Sequence, residues 1–253
     1  MQSSVVSFVV FVLVWTGALF GMRLRRTVPL DHLSTDAKDT IRLAVGLLVT
    51  MTSLVLGMLV SSAKTYFDSQ RNVVAQMSSQ IILLDNLLQT FGPDSKPLRI
   101  ELRSDLEHAI DRIWPKEGPK LSRLKPGDYD KKVNAQIELL VPRNATEDSA
   151  KAQIVTNIQQ LRQTYWLMFL NSEQTTVSLL LLAVVTAWLV TIFISFGMFA
   201  PPNSTVMITL LICAMAVSAA IFIIMEMYSP FNGIMRISPV AVRDALIQMT
   251  AEQ

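Results

Sequence analysis

Three stretches of the chain carry no Asp, Glu, Lys or Arg: Met1 to Met22, Leu43 to Ala63, and Gln174 to Met225. A helix needs about 20 predominantly apolar residues to cross a bilayer, and the last stretch is long enough for two. The pattern therefore predicts four membrane spans. The first, Val5 to Phe20, ends in Arg23, Arg25 and Arg26. It lacks a positive start and a small-residue cleavage site, and reads as an anchor. Around the second span no proline occurs between Leu30 and Gly92. A helix from Asp36 to Phe91 at ~1.5 Å per residue would reach roughly 80 Å, far beyond the hydrocarbon layer. Past the membrane, Val74, Met77, Ile81, Leu84, Leu88 and Phe91 recur at spacings of three and four, the seam of a packing helix, so this span continues as a stalk. Gly92-Pro93 stops it, because proline disfavours helical geometry in the residue before it.

A second amphipathic helix is predicted from Leu102, Leu106, Ala109, Ile110 and Ile113, ending at Trp114-Pro115, with a Pro-, Gly- and Lys-rich loop from 115 to 127. A shorter helix carries Val133, Ile137 and Leu140 and ends before Pro142. From Glu147 onward, Ile154, Ile158, Leu161, Tyr165 and Met168 form another stripe, and no proline follows until Pro201, so this stalk enters the third span directly. Pro201-Pro202-Asn203-Ser204 divides the long uncharged stretch into a hairpin. Tyr228 to Gly233 closes the fourth span, and Pro239 to Met249 reads as a short surface helix. The expected organisation is a first transmembrane pair, 1–63; a helical extramembrane domain, 64–173; a second transmembrane hairpin, 174–228; and a C-terminal surface segment, 229–253. The fold class is an all-α integral membrane protein, its second and third spans extended as stalks into an all-α soluble domain.

Composition agrees: 51% of residues are hydrophobic and 17% charged, with a mean hydropathy of +0.41. A formal net charge of +2 leaves no basic excess for neutralising phosphates, which sets nucleic acid aside as a partner. Cys213 is the only cysteine, so no intrachain disulfide and no Cys-rich zinc site can form. His32 and His108 have no second ligand at metal spacing. Asp105, Glu107 and Asp111, interleaved with Arg103 and Arg112, read as a solvated helix face. Phosphate loops, nucleophile elbows and paired metal-binding histidines are missing as motifs, so the sequence predicts neither an enzyme nor a resident metal or cofactor.

The candidate site is a stripe on the second span. Gly46, Thr50, Ser53, Gly57, Ser61, Lys64, Asp68 and Arg71 fall within about 80° when each residue advances 100°. Such a small, polar face can line an aqueous pathway, with hydroxyls replacing ion hydration and Lys64 or Arg71 drawing anions to the inner mouth. It can equally serve close helix packing in lipid. Thr205, Thr209, Cys213, Ala216 and Ala220 make a similar stripe on the fourth span, read here as a packing face. Glu226, at the end of that span, reads as an interfacial acid paired with Lys64 or Arg236. Four spans put both termini and the large domain on one side. Basic residues near the membrane number five on each side, so charge alone does not orient the chain.

The first half of the chain contains the short segments His32-Leu33-Ser34, Ala37-Lys38-Asp39, Leu56-Gly57, Ser62-Ala63-Lys64, Phe67-Asp68, Leu83-Leu84-Asp85, Phe91-Gly92-Pro93 and Arg112-Ile113-Trp114-Pro115. The second half contains Ser195-Phe196-Gly197, Phe199-Ala200-Pro201, Asn203, Glu226-Met227, Pro230-Phe231, Gly233 and Ile237-Ser238. Over roughly 30 to 250 these segments resemble the bacterial bestrophin-like family of unknown function, a distant relative of the bestrophin anion channels. What the resemblance implies is a homo-oligomer, pentameric as bestrophins are, with a cytoplasmic helical domain and an anion pore around the second helix. The expected setting is the bacterial inner membrane and the expected partners are membrane lipid, small inorganic ions and further copies of the chain. Ser229 and Asn232 depart from the Asn-Pro-Phe-Gly segment of bestrophins, and the acidic calcium-clasp run is missing. The alternative reading is a non-conducting membrane sensor or scaffold whose helical domain binds a partner or ligand.

Overall fold

The computed structural model describes residues 2–25, 35–114, 129–174, 179–201, 203–231 and 233–251. Eight α-helices occur among them: α1 (Gln2–Leu24), α2 (Thr35–Phe91), α3 (Lys96–Ile113), α4 (Tyr129–Leu139), α5 (Ala145–Gln174), α6 (Leu179–Phe199), α7 (Ser204–Met227) and α8 (Val240–Ala251). The described residues contain no strand. The chain is an all-α membrane protein, and α1, α2, α6 and α7 are the four helices long and apolar enough to span a bilayer. The expected loop at 115–127, the junction of the third stalk with the third span at 175–178, and His32-Leu33-Ser34 lie outside the described residues.

The chain divides into two compact units, residues 1–67 with 175–229 and residues 68–174 with 230–253. In the first, α1 packs against both α6 and α7. Val10, Val14 and Ala18 are buried there with Val185, Leu189, Ile192 and Phe193, while Val5, Phe8, Val12 and Phe20 stay exposed. The α1–α6 contact is a backbone approach. A Cβ added at Gly21 would lie 2.1 Å from the Ile194 carbonyl oxygen, and one at Gly197 would lie 2.2 Å from that of Ala18. Only a residue without a side chain permits this spacing, which is how lipid-embedded helices gain van der Waals contact without a hydrophobic driving force. The α1–α7 contact is held by two serines. Ser7 donates to the Ser218 carbonyl at 3.0 Å, and the Ser7 and Ser218 hydroxyls stand 2.9 Å apart. Ser218 in turn donates to the Ser7 carbonyl, at 2.7 Å.

In the second unit the seam read from the sequence is the core: Val74, Met77, Ile81, Leu84, Leu88 and Phe91 are all buried. So are Ile154, Ile158, Leu161 and Met168 of α5 and Leu98, Leu102, Leu106 and Ile110 of α3. The stop after α2 is as expected. Gly92 takes φ +99°, a conformation other residues adopt rarely, and Ser95 donates to the Leu88 carbonyl at 2.6 Å, satisfying one of the helix's terminal acceptors. α5 opens with an asparagine cap: the Glu147 amide donates to Asn144 Oδ1 at 2.8 Å, and Glu147 Oε2 reaches back to accept from the Arg143 amide at 2.7 Å. The helix expected at 239–249 is α8, and it is half a core element: Val242, Ala245 and Met249 are buried and α8 packs on α3. Trp114, at the end of α3, donates its indole N–H to the Ile237 carbonyl at 2.8 Å and meets Phe231 edge-on.

Candidate functional site

α2 gives the membrane unit only one of its faces. Thr52, Leu59 and Ala63 are buried, with Leu48, Val55 and Leu56 partly so. Where that face ends, Tyr66 stacks on Tyr228 with ring centroids 5.6 Å apart, and the Tyr228 hydroxyl donates to Ser62 Oγ at 3.1 Å. In the most hydrophobic window of α2 only 11% of residues are buried, against 28% to 33% in the other spans, so α2 is the span left most open by its own chain.

The polar stripe lies on the open side, about 140° around the helix from Thr52, Leu59 and Ala63. Gly46, Thr50, Ser53, Gly57, Ser61 and Lys64 are all exposed. A Cβ added at Gly46 or Gly57 meets nothing within 4 Å. The contrast with Gly21 and Gly197 is direct: those glycines are filled by a neighbouring helix, whereas these are small without any intrachain contact that requires it. Asp68, half-buried, and Arg71, exposed, sit farther along α2 in the part belonging to the second unit. A second stripe runs beside the polar one, where Leu47, Met51, Leu54 and Met58 are each about half to two-thirds exposed.

Two hydroxyls on this stripe are turned inward onto their own helix. Thr50 donates to the Gly46 carbonyl at 2.9 Å, and Ser53 to that of Val49 at 2.8 Å. Their protons are thus engaged while the oxygen lone pairs face outward. An anion would recruit such a proton by rotating it off its carbonyl, which exchanges one hydrogen bond worth about 1 kcal/mol for another.

On the fourth-span stripe Thr205, Thr209, Cys213 and Ala216 are exposed and Ala220 is half-buried, so within this chain the stripe is not the main packing face. α7 instead buries the roughly opposite side, Leu210, Ala214, Ser218, Ile221 and Ile224. Both sides carry small residues, but Ser218 finds Ser7 across the interface, and a hydroxyl given a partner in lipid decides which side turns in. Glu226 is buried on the last turn of α7, with 3% of its surface accessible. Among the described residues no group of three or more His, Cys, Asp or Glu is gathered as for a metal.

A family model for the Bestrophin-like domain matches residues 11–242. The chain belongs to the Bestrophin-like family. No curated protein and no solved structure matches it. Many residues that carry the bestrophin-like resemblance now have a physical role, and it is in the scaffold. Gly197 lets α6 touch α1, Gly92 turns the chain out of α2, and Trp114 fastens α3 to Ile237. Asp85 binds Arg99 through both oxygens, at 2.6 and 2.9 Å. Sequence reasoning missed the α1–α6 approach and the serine pair. The signal was present in the first span as Gly17 and Gly21, four residues apart, and Ser7 among valines and phenylalanines.

Proposed function

We propose that this Bestrophin-like membrane protein is a homo-oligomeric ion channel, anion-conducting, whose pore is lined by the polar side of α2. One observation carries the reading: Thr50, Ser53, Gly57 and Ser61 form an exposed small and polar face on a membrane span, with the exposed Lys64 at its end. Hydroxyls turned toward acyl chains are unfavourable, so the stripe calls for water or for a second protein surface. An assembly in which copies of α2 ring an axis supplies both: the polar stripes enclose a wet path, and Leu47, Met51, Leu54 and Met58 meet the next copy. A ring of lysines at position 64 would raise the local anion concentration, and the hydroxyls would solvate the ion by the rotation described above. The proposed assembly is a pentamer in the bacterial inner membrane with the second unit in the cytoplasm, as the family likeness suggests.

The test is anion and cation flux into liposomes containing the purified oligomer, beside its mass in detergent. Ser53→Leu narrows and dewets a pore. The expected result is an anion flux that falls at least tenfold with assembly intact. Loss of assembly in Ser53→Leu, with no flux from the well-folded wild type across several pH and calcium conditions, overturns the channel and supports a non-conducting sensor or scaffold.

A further inference from the structure

The membrane unit contains a groove of about 550 Å³ between α2, α6 and α7, a size in the range of clefts that hold small ligands. Its walls are apolar: Val45 and Val49 from α2, Phe196 and Phe199 from α6, Leu210 from α7. Gly46 widens it, since nothing stands within 4 Å of where a side chain would start. Arg42 is the one ionisable residue among those described as lining it. Leu43 begins the uncharged stretch, so Arg42 stands where the hydrocarbon layer starts. Its pairing with Asp39, at 3.3 Å, joins side chains that are 67% and 59% exposed, and such a pair in water is worth little. A second guanidinium stands at the same rim: Arg25 donates to the carbonyl of Ala200, itself a lining residue.

We propose that this groove holds an anionic phospholipid, its phosphate against Arg42 with Arg25 beside it and an acyl chain along the apolar wall. Guanidinium binds phosphate through paired N–H donors, and a charge at the mouth of an apolar slot fits a molecule with an anionic head and a hydrocarbon tail. Charge argues against a second copy as the occupant. The mouth carries Arg25 and Arg42, so two copies meeting there through the same surface would bring like charges together. The proposal requires only that the spans lie in a membrane, and a protein silent in flux assays leaves it standing.

The test uses the full chain in a neutral detergent, titrated with phosphatidylglycerol or with phosphatidylcholine of the same acyl chains, bound lipid being counted by native mass spectrometry. Wild type is expected to retain phosphatidylglycerol at least threefold better. Arg42→Gln should abolish that preference, Arg42→Lys should keep part of it, and Gly46→Leu, which fills the slot, should lower retention of both lipids. Equal retention of the two lipids by wild type, or an undiminished preference in Arg42→Gln, overturns the proposal. So does a Gly46→Leu variant that loses its oligomer yet keeps its lipid, which would assign the groove to a second copy. Should Arg42→Gln fail to fold, Gly46→Leu decides by the same criterion.

Discussion

Asp85 accepts Arg99 through both carboxylate oxygens and takes a third hydrogen bond from Gln89 Nε2 at 2.9 Å, with 7% of its side chain exposed and 14% of the arginine's. A bidentate pair with its remaining lone pairs engaged is stable because of what its loss would leave behind. Asp85→Ala strands a buried guanidinium, and the expected loss is about 3–5 kcal/mol, read as a fall in thermal unfolding midpoint of the detergent-solubilised protein. Gln70 is the opposite case. It is 1% exposed and neither its side-chain oxygen nor its nitrogen has a hydrogen-bond partner. Unmade bonds of this kind cost about 1–3 kcal/mol, so Gln70→Leu, similar in volume, is expected to leave the unfolding midpoint unchanged or raise it. A fall of several degrees would show that the amide has a role its present contacts do not display. Neither residue was singled out as a site in the sequence, and for the same reason: a carboxylate or amide on a helix looks alike whether it faces water or the core until its partner, 14 residues away for Asp85, is placed.

At the scale of elements, periodicity was a good guide wherever one face of a helix meets a core. The seam from Val74 to Phe91 and the stripe from Ile154 to Met168 are buried almost residue for residue, because the three-four spacing is itself the geometry of burial. In the membrane that link weakens. Lipid is as apolar as a protein interior, so hydrophobicity no longer distinguishes inside from outside, and small residues become an ambiguous sign. Gly197 and Gly57 illustrate the two meanings. Gly197→Ala pushes a methyl onto the Ala18 backbone, and α1 and α6 must separate, an overpacking expected to cost 1–3 kcal/mol or more and to lower the yield of folded protein. Gly57→Ala meets nothing in its own chain and should stabilise α2 by about 1 kcal/mol through helix propensity. If Gly57→Ala instead disrupts the oligomer while monomer folding survives, a neighbouring copy lies against that glycine. For the α1–α7 contact, a double-mutant cycle of Ser7→Ala and Ser218→Ala should give a coupling of about 0.6 kcal/mol and no more than about 1.7, the range found for hydrogen bonds between membrane helices.

Taken whole, the molecule is two units, each assembled from two separate pieces of chain. The all-α class, the four spans and the long helix through Phe91 were legible in the sequence, since each depends on local composition and on where prolines fall. What the polar stripe does was legible only as a choice between a path and a packing face. In the structure Thr50, Ser53, Gly57 and Ser61 of that stripe are exposed, on a different side of α2 from the buried Thr52, Leu59 and Ala63. The family likeness drew most of its strength from residues that build the scaffold, such as Asp85, Gly92, Trp114 and Gly197, and such residues report a shared architecture more directly than a shared permeant ion.

The approach of Gly21 to Ile194 and of Gly197 to Ala18 also sets an order of events during synthesis. α1 leaves the ribosome before α6, and the surface it needs lies some 170 residues downstream. At roughly 5–20 residues per second, that segment takes on the order of 10–35 s to be made. For that interval α1 sits in the bilayer with its glycines bare and Ser7 without Ser218, and the second unit likewise waits for α8. Each unit needs a late piece of chain, so a nascent chain stalled within α7 would leave both halves of the protein open at once, each a substrate for membrane quality control.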